Sequence, residues 1–569
     1  MKRMWAALRT RSGGRILVAI SVVFAMDHAA WGQGSITMKK YIGTDIRGIV
    51  TTSDGGIVTA GYTADGVRWY NLSWAYLNVI KLDIQGNVKW TTTLGDCLPR
   101  SMGGKALALS IANTADGGFA VGGESGQFNY LNYCGSGFGS TFGAGLVIKL
   151  NSAGSVAWTK LIGDPGTSIY ATTVTNDGSI VVAGATKSNS GDFLNMNHVA
   201  SGVGNPDAFV VRMDASGTIT SKMLFGSNGD EEGNAIAPVP DGSVVVAGSS
   251  LCNTRCSQRD GDLNGVTGGY TNSLYAYLQD IIVFKVAADG SVEWKKIFGG
   301  NGADVARGIV RTADGGFLVC GSTTSNDGDF AGLSKQAQDI FVIKLDASGT
   351  LLWRKVYGGT NHDDANAICE LSNGEIVVTG STKSNDGDFQ GLTKGGGIDI
   401  VYLKLDASGN ILTKRVIGGT SDEQCYAVVS APYGGTLLGG FAVSNSNDFA
   451  DKGNGNAAGT LLGIDANTCP LAITSQPQGS SVKDGQSASM TVGVSTSPNT
   501  TYQWQRNDGS AWINIASDPR FFGITSSKLT IESATNSTKG PFRCVVTSGS
   551  CSVTSNEASL TVSCNCGTK

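Results

Sequence analysis

The chain repeats one unit seven times, and this periodicity constrains its fold more than any other feature. The clearest copy runs from Ala303 to Gly359, and residues 363–419 repeat it closely. Each copy carries the glycine of an Asp-Gly-type turn; these are Gly55, Gly117, Gly178, Gly242, Gly315, Gly374 and Gly434. Similar units in series predict a repeat architecture in which each unit buries its faces against its neighbours.

Each unit contains four short apolar runs separated by turn residues. In the fifth unit these are residues 309–310, residues 317–319, the segment DIFVIKLD and the segment LLWRKVYGG. The Asp-Gly and Asp-Ala-Ser-Gly sequences between runs favour tight hairpins, because glycine tolerates the positive φ that such turns need. Strands joined by short turns are antiparallel, and four of them repeated about an axis form a β-propeller blade.

The two ends of the repeat complement each other. The seventh unit has three strand signals, the last at residues 461–465, and lacks the fourth; residues 36–43 (ITMKKYIG) match the missing strand. We therefore predict an all-β fold whose residues 33–467 form a seven-bladed β-propeller of four-stranded blades, closed by the N-terminal strand. The long loops between strands two and three and between blades then share one face, and such loops commonly carry function.

Residues 468–563 have a different character, with short alternating strands rich in Ser and Thr. Trp504 lies in the middle of one strand, and Cys544 lies in another that follows 40 residues later. This pattern predicts an immunoglobulin-like β-sandwich. The cysteine expected earlier, to pair across the sheets, is absent from residues 488–492. Residues 564–569 form a short tail.

The first 32 residues have the pattern of a signal peptide. A basic stretch precedes an apolar run of 11 residues, which is too short to span a bilayer comfortably. Small residues at Ala30 and Gly32 then predict cleavage before Gln33. No later segment is apolar enough to cross a membrane, and we expect a secreted or outer cell-surface protein.

The 12 cysteines fit an oxidising compartment. We predict three disulfides, namely Cys97 with Cys134, Cys252 with Cys256, and Cys544 with Cys551. Three further cysteines lie within apolar strand patterns and are expected to be buried thiols: Cys320, Cys369 and Cys425. No pairing is predicted for Cys469, Cys564 and Cys566.

The composition argues against several classes of function. A net charge of −4 is a poor match to nucleic acid. After the leader only His198 and His362 remain, which argues against a multi-histidine zinc site. No glycine motif follows a strand and opens a helix, as phosphate binding requires. Paired carboxylates for glycoside cleavage stay open, because their separation depends on the folded structure.

The recurring segment SNDGDF, at residues 325–330 and 384–389, is the most regular polar feature. Its carboxylates are candidate calcium ligands, because closely spaced oxygens suit a hard cation: Asp327, Asp329, Asp386 and Asp388. The spacing is not that of an EF-hand, and Asn, Asp and Gly also form ordinary turns. Both interpretations stay open, and calcium is the one cofactor that the sequence indicates.

A second group of candidates contains ligand-binding residues on the same face. The acidic members, in the loops between blades, are Asp304, Asp363 and Asp364. The aromatic members, in the first two long loops, are Trp69, Tyr70, Tyr130 and Tyr133. The alternatives are solvated loop charges and aromatic rings that pack the loops down. Strand four also carries a tryptophan at one fixed position of the repeat. A fixed position favours packing between blades over ligand binding, and the residues are Trp90, Trp158, Trp294 and Trp353.

Through its SNDGDF and DGGF segments and its WxKxxGG strands, the chain resembles secreted bacterial repeat proteins common in Bacteroidota, over residues 44–467. Their sequences combine such propeller repeats with C-terminal immunoglobulin-like modules. The resemblance implies secretion and surface display, often by the type IX route, although no C-terminal sorting domain follows Val562. The activities of the group are largely unassigned.

These features together favour a non-enzymatic extracellular binding or adhesion scaffold that presents propeller loops to a glycan or a protein. One alternative is a carbohydrate-active enzyme that uses carboxylates on the loop face. Another is a structural accessory subunit of a cell-surface or secretion assembly. A glycan array combined with a hydrolysis screen separates the first two.

Overall fold

The fold is all-β over the residues that the computed structural model describes. These are residues 36–64, 75–83, 85–94, 106–125, 143–196, 205–227, 229–252, 261–266, 278–335, 337–432, 434–452, 457–465, 473–494, 500–507, 511–516, 518–548 and 551–563. The predicted signal peptide lies outside them. Short 3₁₀ helices of three residues each interrupt the strands at Gly191–Phe193, Gly261–Leu263, Gly328–Phe330, Gly387–Phe389 and Asn447–Phe449.

In the described part of the chain, the repeats form seven four-stranded antiparallel sheets. In chain order their strands are β1 (Ile36–Ile42), β2 (Asp45–Thr51), β3 (Ile57–Ala64), β4 (Ala75–Leu82), β5 (Val88–Leu94), β6 (Ala106–Asn113), β7 (Phe119–Ser125), β8 (Gly145–Leu150), β9 (Val156–Ile162), β10 (Thr167–Val174), β11 (Ile180–Thr186), β12 (Asp207–Met213), β13 (Ile219–Phe225), β14 (Asp230–Pro238), β15 (Val244–Cys252), β16 (Leu278–Val286), β17 (Val292–Phe298), β18 (Asp304–Arg311), β19 (Phe317–Thr323), β20 (Asp339–Leu345), β21 (Leu351–Tyr357), β22 (Asp363–Glu370), β23 (Ile376–Thr382), β24 (Asp399–Leu405), β25 (Ile411–Ile417), β26 (Glu423–Ser430), β27 (Thr436–Ala442) and β28 (Ala458–Ile464). Strands β2 to β5 form the first sheet, and each following set of four forms the next. The seventh sheet has the order β1-β28-β27-β26.

The N-terminal strand completes the last sheet. β1 pairs antiparallel with β28, with Lys40 opposite Leu461 and Ile42 opposite Gly459. The Tyr41 hydroxyl adds a hydrogen bond of 2.6 Å to Asp451 Oδ1. The prediction that the N-terminal segment supplies the missing strand is therefore confirmed.

Neighbouring sheets pack through their first strands. β2 contacts β6, β6 contacts β10, and the series continues through β14, β18 and β22 to β26, which contacts β2. Apolar side chains fill the space between sheets; between the fifth and sixth sheets they include Leu318, Val342, Val378 and Leu403. Each sheet thus shares its cores with its neighbours, as stacked repeats must.

The Asp-Gly turns are tied to the third strand of their own sheet. In the fifth sheet Gly315 has a φ of 88°, and the Asp314 carboxylate accepts the Gly316 N–H at 3.0 Å. Lys344 of β20 reaches the same carboxylate at 2.8 Å. Equivalent ion pairs join Lys81 to Asp54, Lys149 to Asp116, and Lys285 to Asp241. The turn sequence and the KLD segment therefore recur together because they contact each other.

The C-terminal region is an immunoglobulin-like sandwich. Its strands are β29 (Ile473–Ser475), β30 (Ser480–Lys483), β31 (Ala488–Thr491), β32 (Gly493–Val494), β33 (Thr500–Asn507), β34 (Trp512–Asn514), β35 (Phe521–Phe522), β36 (Lys528–Ile531), β37 (Gly540–Ser548), β38 (Cys551–Thr554) and β39 (Ala558–Ser563). One sheet has the order β30-β39-β37-β33-β34 with β38 beside β37, and a second has the order β31-β36-β35. Trp504 is fully buried between them, and its indole N–H donates to the Ser526 carbonyl at 2.9 Å.

The predicted disulfide between Cys544 and Cys551 is wrong. Cys544 is a free thiol in the sandwich core, opposite Trp504 in the ladder. Cys551 pairs with Ser548, and at ~3.3 Å per residue along β37 this places the two cysteines about 13 Å apart, beyond the reach of a disulfide. Free buried thiols are confirmed at Cys320, Cys369 and Cys425. The other two predicted disulfides involve Cys97, Cys134 and Cys256, which lie outside the described residues.

Candidate functional site

The first strand of each of the seven sheets carries a β-bulge, which places one extra residue on the strand. In the fifth sheet the register shifts between Ala306 and Gly308, so that Arg307 is the extra residue. The seven bulge residues are Arg47, Leu109, Tyr170, Asn234, Arg307, Asn366 and Tyr426. Because a bulge redirects its side chain and the first strands contact one another in series, these residues share one surface.

Arg307 and Asp364 form the most exposed part of this surface. The Arg307 Nε atom lies 4.0 Å from Asp364 Oδ1, and the two side chains are 43% and 28% exposed. Gln338, from the loop before β20, also donates to Asp364. Three acidic residues were predicted to contact a ligand, and Asp364 is the one whose side chain is accessible in the structure.

A row of polar groups extends from this pair across neighbouring sheets. Ser168 donates to Glu124 at 2.7 Å. Burial raises the pKa of Tyr170 to about 12, with further contributions from the charges of Glu232 and Glu124. Burial also raises the pKa of Glu232, against the opposing charge of Arg307. We define the polar row as Glu124, Ser168, Tyr170, Glu232, Arg307 and Asp364.

Asp304 and Asp363, predicted as ligand contacts, are fully buried. The Asp363 carboxylate accepts the Gly359 N–H at 2.9 Å and the Ser384 hydroxyl at 2.7 Å. Asp304 accepts the equivalent bonds from Gly300 at 3.0 Å and from a serine hydroxyl at 2.7 Å. Both carboxylates position the loops between sheets, and the expectation that they face a ligand is corrected.

The last acid of each SNDGDF segment accepts a hydrogen bond from the backbone. Asp329 accepts the Gly299 N–H at 3.0 Å, and Asp388 accepts the Gly358 N–H at 3.0 Å. The same bond recurs in the weaker copies, from Gly163 to Asp192, from Gly226 to Asp262, and from Gly418 to Asp448. The phenylalanines that follow these two acids, Phe330 and Phe389, are fully buried. The motif thus anchors the long loop to the end of strand four.

The first acids of the segment join the same two loops. Asp327 accepts the Asn301 N–H at 2.7 Å, and Asp386 accepts the Thr360 N–H at 2.8 Å. Within the described part of the chain, no three His, Cys, Asp or Glu side chains converge as a metal site. These contacts support the turn interpretation for all four acids, and calcium binding stays a prediction.

The repeated tryptophans pack between sheets, as predicted. The rings of Trp90 and Phe119 are 5.8 Å apart and join the first two sheets. Trp158 donates its indole N–H to the Ala215 carbonyl of the next sheet at 3.0 Å. The predicted ligand-binding aromatics Trp69, Tyr70, Tyr130 and Tyr133 lie outside the described residues.

Sequence reasoning missed the bulge residues because it searched the loops. The irregular position in the first strands, such as RG in DVARGIV, was the available signal. An extra residue reverses the alternation of side chains, and this is visible only once the pairing register is known.

Comparisons with known proteins cover the C-terminal region. Residues 472–548 match the immunoglobulin domain family. A chimeric titin Z1Z2 functionalized with a KLER exogenous peptide from decorin is similar at 28% identity, covering 17% of this chain and 95% of that one, with a TM-score of 0.15. The Ig-like domain of human leucine-rich repeat-containing protein 4 is similar at 22% identity, covering 17% and 91%, with a TM-score of 0.15. No match was found among curated proteins.

In the described ranges, no helix has the length and apolar character needed to cross a bilayer.

Proposed function

We propose that this chain is an extracellular, non-enzymatic binding scaffold whose seven sheets form a closed β-propeller. Two observations support closure: the contact between β26 and β2, and the pairing of β1 with β28. The leader sequence supports secretion to the outer surface. The immunoglobulin-like domain acts as a spacer or docking module, a common use of such domains at cell surfaces.

The main support for a binding function is the polar row. It presents the guanidinium of Arg307 between the carboxylates of Glu232 and Asp364, with the Tyr170 ring nearby. Such a surface offers hydrogen-bond donors, acceptors and an aromatic ring together, which suits a glycan or a polar protein loop. We place the ligand on this row, reached from the face that bears the long loops.

Glycan arrays and pull-downs from envelope extracts, made with the secreted full chain, test this proposal. The Arg307→Ala and Asp364→Ala variants should lose the bound ligand while keeping the melting temperature of the parent. Asp346→Asn, in an exposed hairpin turn, is a matched control that should bind normally. Retention of every ligand by both row variants would remove the row as the binding surface.

A hydrolysis screen of the glycans that bind addresses the enzymatic alternative. We expect binding without turnover. Hydrolysis that disappears in the Asp364→Ala variant would instead assign the row to a carbohydrate-active enzyme.

A further inference from the structure

Among the described residues, two carboxylates, at least one of them fully buried, meet at four of the junctions between neighbouring sheets. One comes from the start of a third strand and the other from the first strand of the next sheet. The pairs are Asp207 with Glu231, Asp280 with Asp304, Asp339 with Asp363, and Asp399 with Glu423. Seven of these eight residues are at most 3% exposed, Asp280 being the exception. A buried charge is costly unless it is well partnered, so burial disfavours two charges in one pair.

The pair of Asp339 and Asp363 shows the geometry. A Cβ atom on Gly358 would lie 2.1 Å from Asp339 Oδ1 and 2.9 Å from Asp363 Oδ2, so both oxygens face the Cα of one glycine. Gly299 stands in the same relation to Asp280 and Asp304, at 2.1 and 2.9 Å. The glycine leaves the two carboxylates close to each other with only a weak C–H contact between them.

The two members of the pair differ in their hydrogen bonds. Asp363 accepts three, from Gly359, Thr382 and Ser384. Asp339 Oδ2 accepts the Lys335 N–H at 2.8 Å, whereas its buried Oδ1 has no hydrogen-bond partner among the residues that the structure describes. Asp399 has the same arrangement: its Oδ2 accepts the Lys394 N–H, and its Oδ1 has no partner within the described ranges. Asp339 also has a side-chain hydrogen bond with Ser334, but with its free Oδ1 it is less well equipped than Asp363 to hold a charge.

The charges around Asp339 favour its neutral form. Asp363 faces it from β22, and Asp388 approaches the shared glycine through its bond to the Gly358 N–H. Lys335, in the loop before β20, is the opposing cation, and Asp364 is engaged with Arg307. Burial raises the pKa of Asp339 to about 6, with repulsion from Asp363 adding to it.

We propose that the carboxylate pairs between sheets make the packing of the sheets proton-linked, so that the assembly is tighter at mildly acidic pH than at neutral pH. The folded protein holds these protons more firmly than the unfolded chain does. Their stabilisation is complete below about pH 4, where unfolded carboxylates titrate, and is lost as the pH rises through the folded pKa values. Those values are about 6 for Asp339 and about 7 for Glu231, the latter raised by burial and by Asp207.

The exposed carboxylates of the hairpin turns change their charge in a different, more acidic pH range. The pKa of Asp314 is lowered to about 2 by hydrogen bonds from Lys344 and Thr312. Because this group is ionised in both the folded and unfolded chain above about pH 5, it contributes no pH dependence between pH 5 and neutrality. The carboxylates of these turns therefore do not account for a change of stability in that interval.

Calorimetry of the full chain between about pH 5 and about pH 7.5 tests the proposal. The melting transition of the parent sheets should fall by several degrees as the pH rises. Asp339→Asn keeps the shape of the side chain but removes its charge, so it should melt above the parent at neutral pH and show a weaker pH dependence. Asp314→Asn is the matched control and should lower the transition equally at both pH values.

Two results would overturn the proposal. One is a parent transition that is as high at neutral pH as at mildly acidic pH. The other is an Asp339→Asn variant whose melting temperature lies below that of the unsubstituted chain by the same amount at both pH values. If Asp339→Asn does not fold at either pH, the equivalent Asp399→Asn is measured, and its failure to reduce the pH dependence also counts against the proposal.

Discussion

The guanidinium carbon of Arg47 lies 3.6 Å from the ring centroid of Tyr426, and this stacked contact joins the first and seventh sheets. Two Arg47 nitrogens bond to Asp45 Oδ2, at 2.9 and 3.1 Å, and one also donates to the Tyr62 hydroxyl at 2.8 Å. Arg47 thus occupies the same bulge position as Arg307, but its donors are used within the fold.

Replacing Arg47 with alanine should destabilise the assembly of sheets. The stacking contributes about 2 kcal/mol where it is shielded from water, and removal leaves the buried Asp45 carboxylate without its cation, a further cost of about 1–3 kcal/mol. Urea unfolding should show a combined loss of at least about 3 kcal/mol. The double variant Arg47→Ala/Asp45→Ala should recover part of that loss, and equal losses in both variants would contradict the proposed pairing.

Removal of β1 (residues 36–42) should lower the melting temperature of the seven sheets together. The deletion leaves β28 with an unpaired edge and takes Tyr41 and Ile42 out of apolar clusters. Calorimetry of the truncated chain measures the effect. A synthetic peptide of residues 36–43 added to the truncated chain should restore the transition, whereas the same residues in scrambled order should not.

Substitution in the SNDGDF segment should reveal a structural anchor. Phe389→Ala should cost about 3–5 kcal/mol, as for a large side chain removed from a core. Asp388→Ala should cost about 1–3 kcal/mol by leaving the Gly358 N–H unpaired. Both costs should be the same with millimolar calcium and with a chelator. A melting temperature that rises with calcium in the unsubstituted chain, and not in Asp386→Ala, would support the predicted cation site.

The contrast between strands and side chains shows what the sequence could predict. The closing strand was predictable because residues 36–43 repeat a pattern seen in complete units. The hairpin turns were predictable because an Asp-Gly sequence between two apolar runs is a strong signal for a tight turn. Asp304 and Asp363 were misplaced because an acid next to Gly-rich loops looks exposed until its serine and threonine donors are known. Arg307 was overlooked because a one-residue bulge cannot be located without the partner strand.

Cys544 should behave as a buried thiol rather than half of a disulfide. Burial raises its thiol pKa to about 12, so it should resist alkylation until the sandwich unfolds. Cys544→Ala should destabilise the sandwich equally with and without reductant, as measured by urea unfolding. A loss confined to oxidising conditions, reproduced by Cys551→Ala, would reinstate the disulfide.

Gly358→Ala provides a direct test of how closely the sheets approach at a carboxylate pair. The new Cβ would meet Asp339 Oδ1 at 2.1 Å, so either that buried side chain or the backbone must move. Such overpacking typically costs about 1–3 kcal/mol. In an Asp339→Ala background the new Cβ no longer meets the Asp339 carboxylate, and Asp363 Oδ2 at 2.9 Å remains close. The same substitution should therefore cost less, and this coupling can be measured by a double-mutant cycle in urea. Additive losses would mean that contact with the Asp339 carboxylate does not set the cost of the substitution.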